Sequence, residues 1–247
     1  LKDESVKSIG FEGRAVSYAR YHALTEIYKD YKLIDIGGVI ESLREVKTEE
    51  ELSYMAKAQE ITDKAFSELL GVLTPNMTEI EVALEIEFFM RRNGADALAF
   101  DTIAVSGTNS SRPHGVPRRQ TLEKGFLTMD FGAKVDGYCS DMTRTVVLGR
   151  ADDDMKKLYN TVLTAQKAAL EAAHEGASCK GLDKIARDII HGAGYEGCFG
   201  HSLGHGVGLF IHEAPSLSTR SEKILEKGHA VTVEPGVYIP GVGGCRI

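Results

Sequence analysis

Apolar residues recur at helical spacing through two stretches that open on the same signal. Thr48 with Glu51 three positions on forms a capping box, and Leu52, Met55, Ala58, Ile61, Ala65 and Leu69 follow on one face. After a turn at Pro75-Asn76, Thr78 with Glu81 repeats the box, and Val82, Ile86, Phe89 and Met90 carry a second helix to a stop at Gly94. The order then recurs. Residues 152–173 read as a helix with Met155, Leu158, Val162, Ala165 and Ala169 on one face, and residues 178–190 as another that ends in Gly192 and Gly194. Strand-like segments follow each pair. Two blocks of helix, helix and strands, offset by 104 residues from Thr48 to Asp152, predict an α+β domain of two pseudo-symmetric halves, with a site between them drawing groups from each.

The chain before these blocks is different in kind. A strand over 8–11, a helix over 17–28 and a strand over 32–36 that runs into Gly37-Gly38 read as the tail of an α/β unit, too short to hold a core alone. Residues 41–51, dense in charge, read as a linker. The expected division is therefore residues 1–43 and residues 44–247.

Within the first block, residues 97–105 form a strand pattern that leads to a hairpin over 126–145, folded back at Asp136-Gly137. With those two residues as the loop, Val135 pairs with Tyr138, and Asp130 lies opposite Thr143. Asp141 is then the diagonal neighbour of Asp130 on the same sheet face. An Asp pair in a hairpin is ordinarily a solvated strand surface, but Asp130 sits in the apolar run Phe126, Leu127, Met129, Phe131, where an unpaired carboxylate is costly. Two like charges there call for a cation. Thr143 and Arg144, beside Asp141, fit either a supporting shell or an ordinary paired strand surface.

Composition narrows the classes. A 247-residue chain with 43% hydrophobic and 26% charged residues can bury a core, and a net charge of −7 without a Lys/Arg cluster argues against nucleic acid or an anionic membrane as partner. No apolar run reaches the roughly 18 residues of a membrane span, and the start Leu-Lys-Asp-Glu-Ser is too charged for a signal peptide. The start at Leu rather than Met suggests an excerpt of a longer protein. Cys139, Cys179, Cys198 and Cys245 are scattered without a C-x-x-C pair, which fits reduced thiols in a cytoplasmic protein.

The second block carries its own chemistry in H-S-L-G-H-G-V-G-L-F-I-H-E and V-T-V-E-P-G-V-Y. His205 stands between Gly204 and Gly206, and Glu234 sits in an apolar strand before Pro235. Singly, a turn histidine and a strand-end glutamate explain them. The glycine spacing is not G-x-G-x-x-G and no helix follows, which sets a dinucleotide site aside.

Taken in order, D-F-G-A, S-D-M-T-R-T, H-S-L-G-H-G-V-G-L-F-I-H-E-A-P and V-E-P-G-V-Y-I-P resemble the motifs of the pita-bread metallopeptidases, family M24, and within it the prolidase and aminopeptidase P branch. The resemblance spans about residues 44–247, and residues 1–43 resemble the end of that branch's N-terminal, creatinase-type domain. It implies a pita-bread fold, with Asp130, Asp141, His205 and Glu234 as ligands of two divalent ions and Asp141 bridging them. The family has a further bridging Glu after the run that resembles G-G-C-R-I, and this chain stops at Ile247, short of it, so the chain is expected to lack the last strand and to be of doubtful activity as it stands. Cys245 occupies a position more often held by a small aliphatic residue. The resemblance also suggests a homodimer.

A ligand set of carboxylates and one imidazole favours Mn, with Co or Zn as alternatives. The activity implied is hydrolysis of the bond preceding proline, with Glu234 as general base, and His114, His201 and His212 as the histidines that serve the substrate. His22, His174, His191 and His229 carry no surrounding motif and read as ordinary histidines. Two other readings stay open: an exopeptidase of the methionine aminopeptidase type, and a pita-bread module that binds partners without catalysis.

Overall fold

The computed structural model describes residues 6–247, and the charged start at residues 1–5 lies outside the described residues. The chain divides into two compact units between Arg44 and Glu45. In the first, β1 (Ser8–Phe11) pairs in parallel with β2 (Lys32–Asp35), and α1 (Tyr18–Ile27) is the crossover that a parallel pair requires. Ser17 caps α1 by accepting from the Arg20 amide. The expected linker over 41–51 is corrected: α2 (Val39–Glu45) occupies its first half, and three residues separate it from the next helix. The Glu41 carboxylate accepts from the Gly38 amide at 3.0 Å, so the first half of a charge run read as a linker is a capped helix.

The second unit opens on α3 (Glu49–Val72) and α4 (Glu79–Arg92), and in both the reciprocal capping box is formed as its Thr and Glu predict. Their apolar faces bury Ala58, Ala65, Leu69, Val82, Ile86 and Met90 against the strands that follow, with Leu127, Met129 and Phe131 in the same cluster. The single strand expected over 97–105 is two, β3 (Ala97–Leu98) and β4 (Ile103–Ser106), because the chain changes sheet between them. The hairpin breaks at the matching place. β4 pairs with β5 (Gly125–Phe131) and β5 with β8 (Met142–Leu148), whereas β3 pairs with β6 (Ala133–Val135) and β6 with β7 (Tyr138–Cys139). The switch falls at Gly132, where a Cβ would stand 2.0 Å from the Ser140 carbonyl oxygen, an approach that only glycine permits.

Register is as the turn dictates. Asp136 and Gly137 both have positive φ, 49° and 86°, the requirement of a two-residue turn whose twist suits the hairpin, and Val135 pairs with Tyr138 and Asp130 with Thr143. In the second half, α5 (Asp153–Ala172) and α6 (Cys179–Gly192), capped by Asp152 and Ser178, pack over β9 (Gly204–Gly206), β10 (Glu213–Leu217), β11 (Gly236–Ile239) and β12 (Gly243–Arg246). In the core the two halves match at an offset of 100, for Ala58 and Leu158, Ala65 and Ala165, Leu69 and Ala169, Val82 and Leu182, Ile86 and Ala186, and Met90 and Ile190 are all buried. The halves meet at β12, where Thr128 Oγ1 donates to the Gly244 carbonyl and Thr145 Oγ1 to that of Arg246.

A charge sits inside this core. Glu79, the first residue of α4, is fully buried with Arg118 forked onto its carboxylate. Burial alone would raise its pKa, but hydrogen bonds from Arg118 and Ser106 outweigh that and hold it below the usual 4.5. A depressed carboxylate pKa contributes stability above the unfolded value, and that contribution is lost as pH falls through the folded one. The difference in melting temperature between the protein and Glu79→Gln is therefore expected to be largest near neutrality and to shrink as pH falls below 4.5. A difference independent of pH excludes the charge as its source.

Candidate metal centre

Three hydrogen bonds donated by backbone amides set the second half of the site. The Glu234 amide donates to the Leu203 carbonyl at 2.9 Å, the Thr232 amide to that of His205 at 2.8 Å, and the His205 amide to Thr232 Oγ1 at 3.1 Å. His205 and Glu234 are thereby set side by side. Gly204 makes this approach possible, since a Cβ there would lie 1.9 Å from the Thr232 carbonyl oxygen. His205 Nδ1 lies 3.0 Å from the Gly206 carbonyl, the place of a donor, which turns Nε2 toward the carboxylates: Glu234 Oε1 at 3.1 Å and Asp141 Oδ2 at 3.5 Å. Asp141, His205 and Glu234 offer ligand atoms all within 4.8 Å of one another.

Asp130 stands beside this trio in a different state. Its Oδ2 accepts from Arg246 Nη2, while Oδ1 is buried without a hydrogen-bond partner among the described residues. Arg246 is itself 3% exposed and donates further to Thr143 Oγ1 at 3.0 Å, the Pro113 carbonyl at 2.9 Å and the Tyr238 hydroxyl at 3.1 Å. Thr143 thus supports the site, whereas Arg144 bonds only the neighbouring Thr143 carbonyl in the hydrogen bonds described.

The electrostatics mark a deficit of positive charge. Burial, then the charges of Asp130 and Glu234, push the Asp141 carboxyl well above its ordinary range, and burial pushes Asp130 upward despite Arg246. Burial opposes both members of the next pair, yet the His205–Glu234 contact wins, raising the imidazole and lowering the carboxyl. Three carboxylates share one guanidinium and one imidazole. An orphaned buried oxygen, oxygen-rich donors and an imidazole nitrogen turned toward the carboxylates fit divalent cations of the Mn, Co or Zn kind, and no thiol belongs to the cluster.

All seven residues singled out in the sequence line one cavity of about 540 Å³: Asp130, Asp141, His205, Glu234, His114, His201 and His212. Phe100, Ile103, Val116 and Ile211 give the same cavity an apolar wall. The His212 ring packs edge-on to His205 with centroids 4.3 Å apart, and burial holds its pKa down. Burial likewise lowers the His201 pKa; its Nδ1 faces the Ser202 carbonyl at 2.8 Å, the place of a donor, which leaves Nε2 of the neutral ring to accept from the Tyr238 hydroxyl at 2.9 Å. His114 lies on the exposed loop between β4 and β5. Sequence reasoning passed over Arg246 and Tyr238, although an Arg between Cys245 and Ile247 in an apolar strand asks for a buried partner just as Asp130 does.

Comparison with known proteins decides the kinship. The model of metallopeptidase family M24 matches residues 53–247, and that of the creatinase/prolidase N-terminal domain matches residues 1–46. The chain belongs to metallopeptidase family M24. Its α+β architecture is the pita-bread fold of that family. Among relatives of this M24 chain, the Xaa-Pro dipeptidase of Pyrococcus furiosus is 45% identical over 247 residues, covering 99% of this chain and 70% of its own. The structure superposes on the Xaa-Pro dipeptidase from Bacillus anthracis with a TM-score of 0.95 at 46% identity, over 98% of this chain and 68% of that one. It superposes on the X-Pro aminopeptidase of Thermotoga maritima with a TM-score of 0.92 at 40% identity, over 98% and 69%. No described helix of this metallopeptidase is long and apolar enough to cross a membrane.

Proposed function

We propose hydrolysis of the peptide bond preceding proline as the function, with two divalent cations, manganese first, held by Asp130, Asp141, His205 and Glu234. The observation that carries the reading is the union, in one cavity, of a carboxylate–imidazole cluster short of positive charge with three further histidines. Residues 1–43 are read as the end of a creatinase-type N-terminal domain and residues 44–247 as the catalytic domain, in keeping with the two family matches. Four free cysteines support a cytoplasmic setting.

Bound there, divalent cations supply the charge that lowers the pKa of a water and polarises the scissile carbonyl. Glu234, oriented through Oε1 by Thr232 at 3.0 Å and by His205, takes the proton of the attacking water. Asp130 contributes Oδ1, its other oxygen being held by Arg246. The bond before proline is a tertiary amide, so its nitrogen must gain a proton as it leaves. His212 serves the substrate amide from beside His205, and His114 and His201 complete the substrate side, His201 with its tautomer set by Ser202 and Tyr238.

The dipeptidase reading comes first, since the relatives at 45% and 46% identity bear that name, and an aminopeptidase P activity second. The test is hydrolysis, with added manganese, of an Xaa-Pro dipeptide, an Xaa-Pro-Yaa tripeptide and a peptide with Met before Ala. A dipeptide preferred by about tenfold or more in kcat/KM supports the first reading, and the reverse supports the second. Turnover of the methionine peptide alone sinks both, and calorimetry that detects no cation binding favours the interaction-module reading.

A further inference from the structure

Each second helix buries one carboxylate completely, Glu79 as the first residue of α4 and Asp183 as the fifth of α6, and each is paired with an arginine. Both reach from the helix to a segment that carries one of the histidines.

In the first half, Glu79 Oε1 accepts from the Ser106 amide at 2.7 Å and Oε2 from the Arg118 amide at 2.9 Å. Arg118 also forks onto both oxygens, each contact 2.9 Å, and Asn109 Nδ2 adds 3.0 Å to Oε2 and 3.3 Å to the Val116 carbonyl. The two ends of the 106–118 loop are thus tied to one carboxylate, and His114 lies between them. In the second half, Asp183 Oδ1 accepts from the Leu203 amide at 3.0 Å, and Arg187 forks onto both of its oxygens at 2.9 and 3.0 Å. The same guanidinium donates to the carbonyls of Phe199 and His201, both at 2.9 Å. His201 is hung on Arg187 by its own backbone.

Neither carboxylate is needed merely to fill space. A buried ion pair is often matched in stability by apolar residues of the same volume, so two such pairs, one in each half, ask for a geometric reason. A planar fork onto backbone groups supplies one, because it fixes direction as well as distance.

We propose that Glu79 and Asp183 are positioning residues, one in each half, which act through Arg118 and Arg187 to hold His114 and His201 at the substrate cavity. The proposal rests on the roles given to those histidines above.

Arg118→Lys and Arg187→Lys keep the charge and lose the fork, and both arginines are partly exposed, with side chains 34% and 21% accessible, so the fold is retained. Each is measured on the manganese-loaded chain with an Xaa-Pro dipeptide, alone and combined with His114→Ala or His201→Ala, and Glu79→Gln is a second disruption of the first clamp. Each lysine variant is expected to lower kcat/KM roughly 10- to 100-fold. Arg118→Lys should cost less than about twofold once His114 is gone and its full amount once His201 is gone, and Arg187→Lys the converse. An equal loss in every background, the mark of a merely structural role, overturns the proposal. Hydrogen exchange gives a reading without catalysis: amides of residues 107–117 must exchange faster in Arg118→Lys, and unchanged protection overturns the first clamp. Full activity in both histidine variants overturns the function assigned to the histidines and the pair with it, whereas activity lost in them without coupling overturns the pair alone. If the chain shows no hydrolysis, the function reading falls and exchange decides the clamp.

Discussion

His205→Ala is expected to lower manganese-dependent hydrolysis of an Xaa-Pro peptide by roughly 1000-fold or more, with metal affinity falling alongside it. His205 contributes the one imidazole of the trio, and its Nε2 is the nitrogen turned to both Asp141 and Glu234. Removing it deletes a ligand and at the same time leaves two carboxylates without the group that opposes their charge. Calorimetric titration of manganese into the protein separates this from loss of a substrate contact. The control is His212→Ala, whose ring touches that of His205 yet stands outside the trio: it should keep metal affinity within about threefold while turnover falls. If His205→Ala binds manganese as the unaltered chain does, His205 is not a ligand and the proposed centre is wrong.

The parts of this molecule legible in its sequence are those governed by local rules. Thr48 and Thr78 announce their helices because the capping box is closed within four residues, and both boxes form as read. Asp136-Gly137 sets the hairpin register because only a two-residue turn with positive φ fits it, and the face shared by Asp130 and Asp141 follows from that. What escaped depends on distant partners. The break between β3 and β4 answers to Gly132 and the sheet across from it, which no pattern within 97–105 carries. Residues 41–51 read as a charged linker in sequence, and nothing local reveals that Lys223 will hold Glu45, 178 positions before it. Arg246 escaped for a related reason: its meaning lies in Asp130, 116 positions earlier. The three histidines proposed to serve the substrate were found through motif resemblance, and the buried carboxylates tied to their segments through structure alone, since Glu79 and Asp183 look like ordinary first-turn and mid-helix acids.

Arg246→Ala should be the most destabilising single change near the site, by roughly 3–5 kcal/mol in urea unfolding of the metal-free protein. The guanidinium ties four elements: β5 through Asp130, β8 through Thr143, the histidine loop through Pro113, and β11 through Tyr238. Truncation leaves Asp130 buried beside Asp141 and Glu234 with its one close cation gone, which is the costly way to break an ion pair. Two further measurements tie the loss to charge and not to a cavity. Adding Asp130→Asn to Arg246→Ala should recover part of the stability, because the stranded carboxylate is then neutral. Manganese should raise the unfolding midpoint of Arg246→Ala more than that of the unaltered chain, since a cation at the trio offsets the same uncompensated charge. A loss below about 1 kcal/mol, or a double variant no more stable than the single, would show that Arg246 is not what balances the carboxylates.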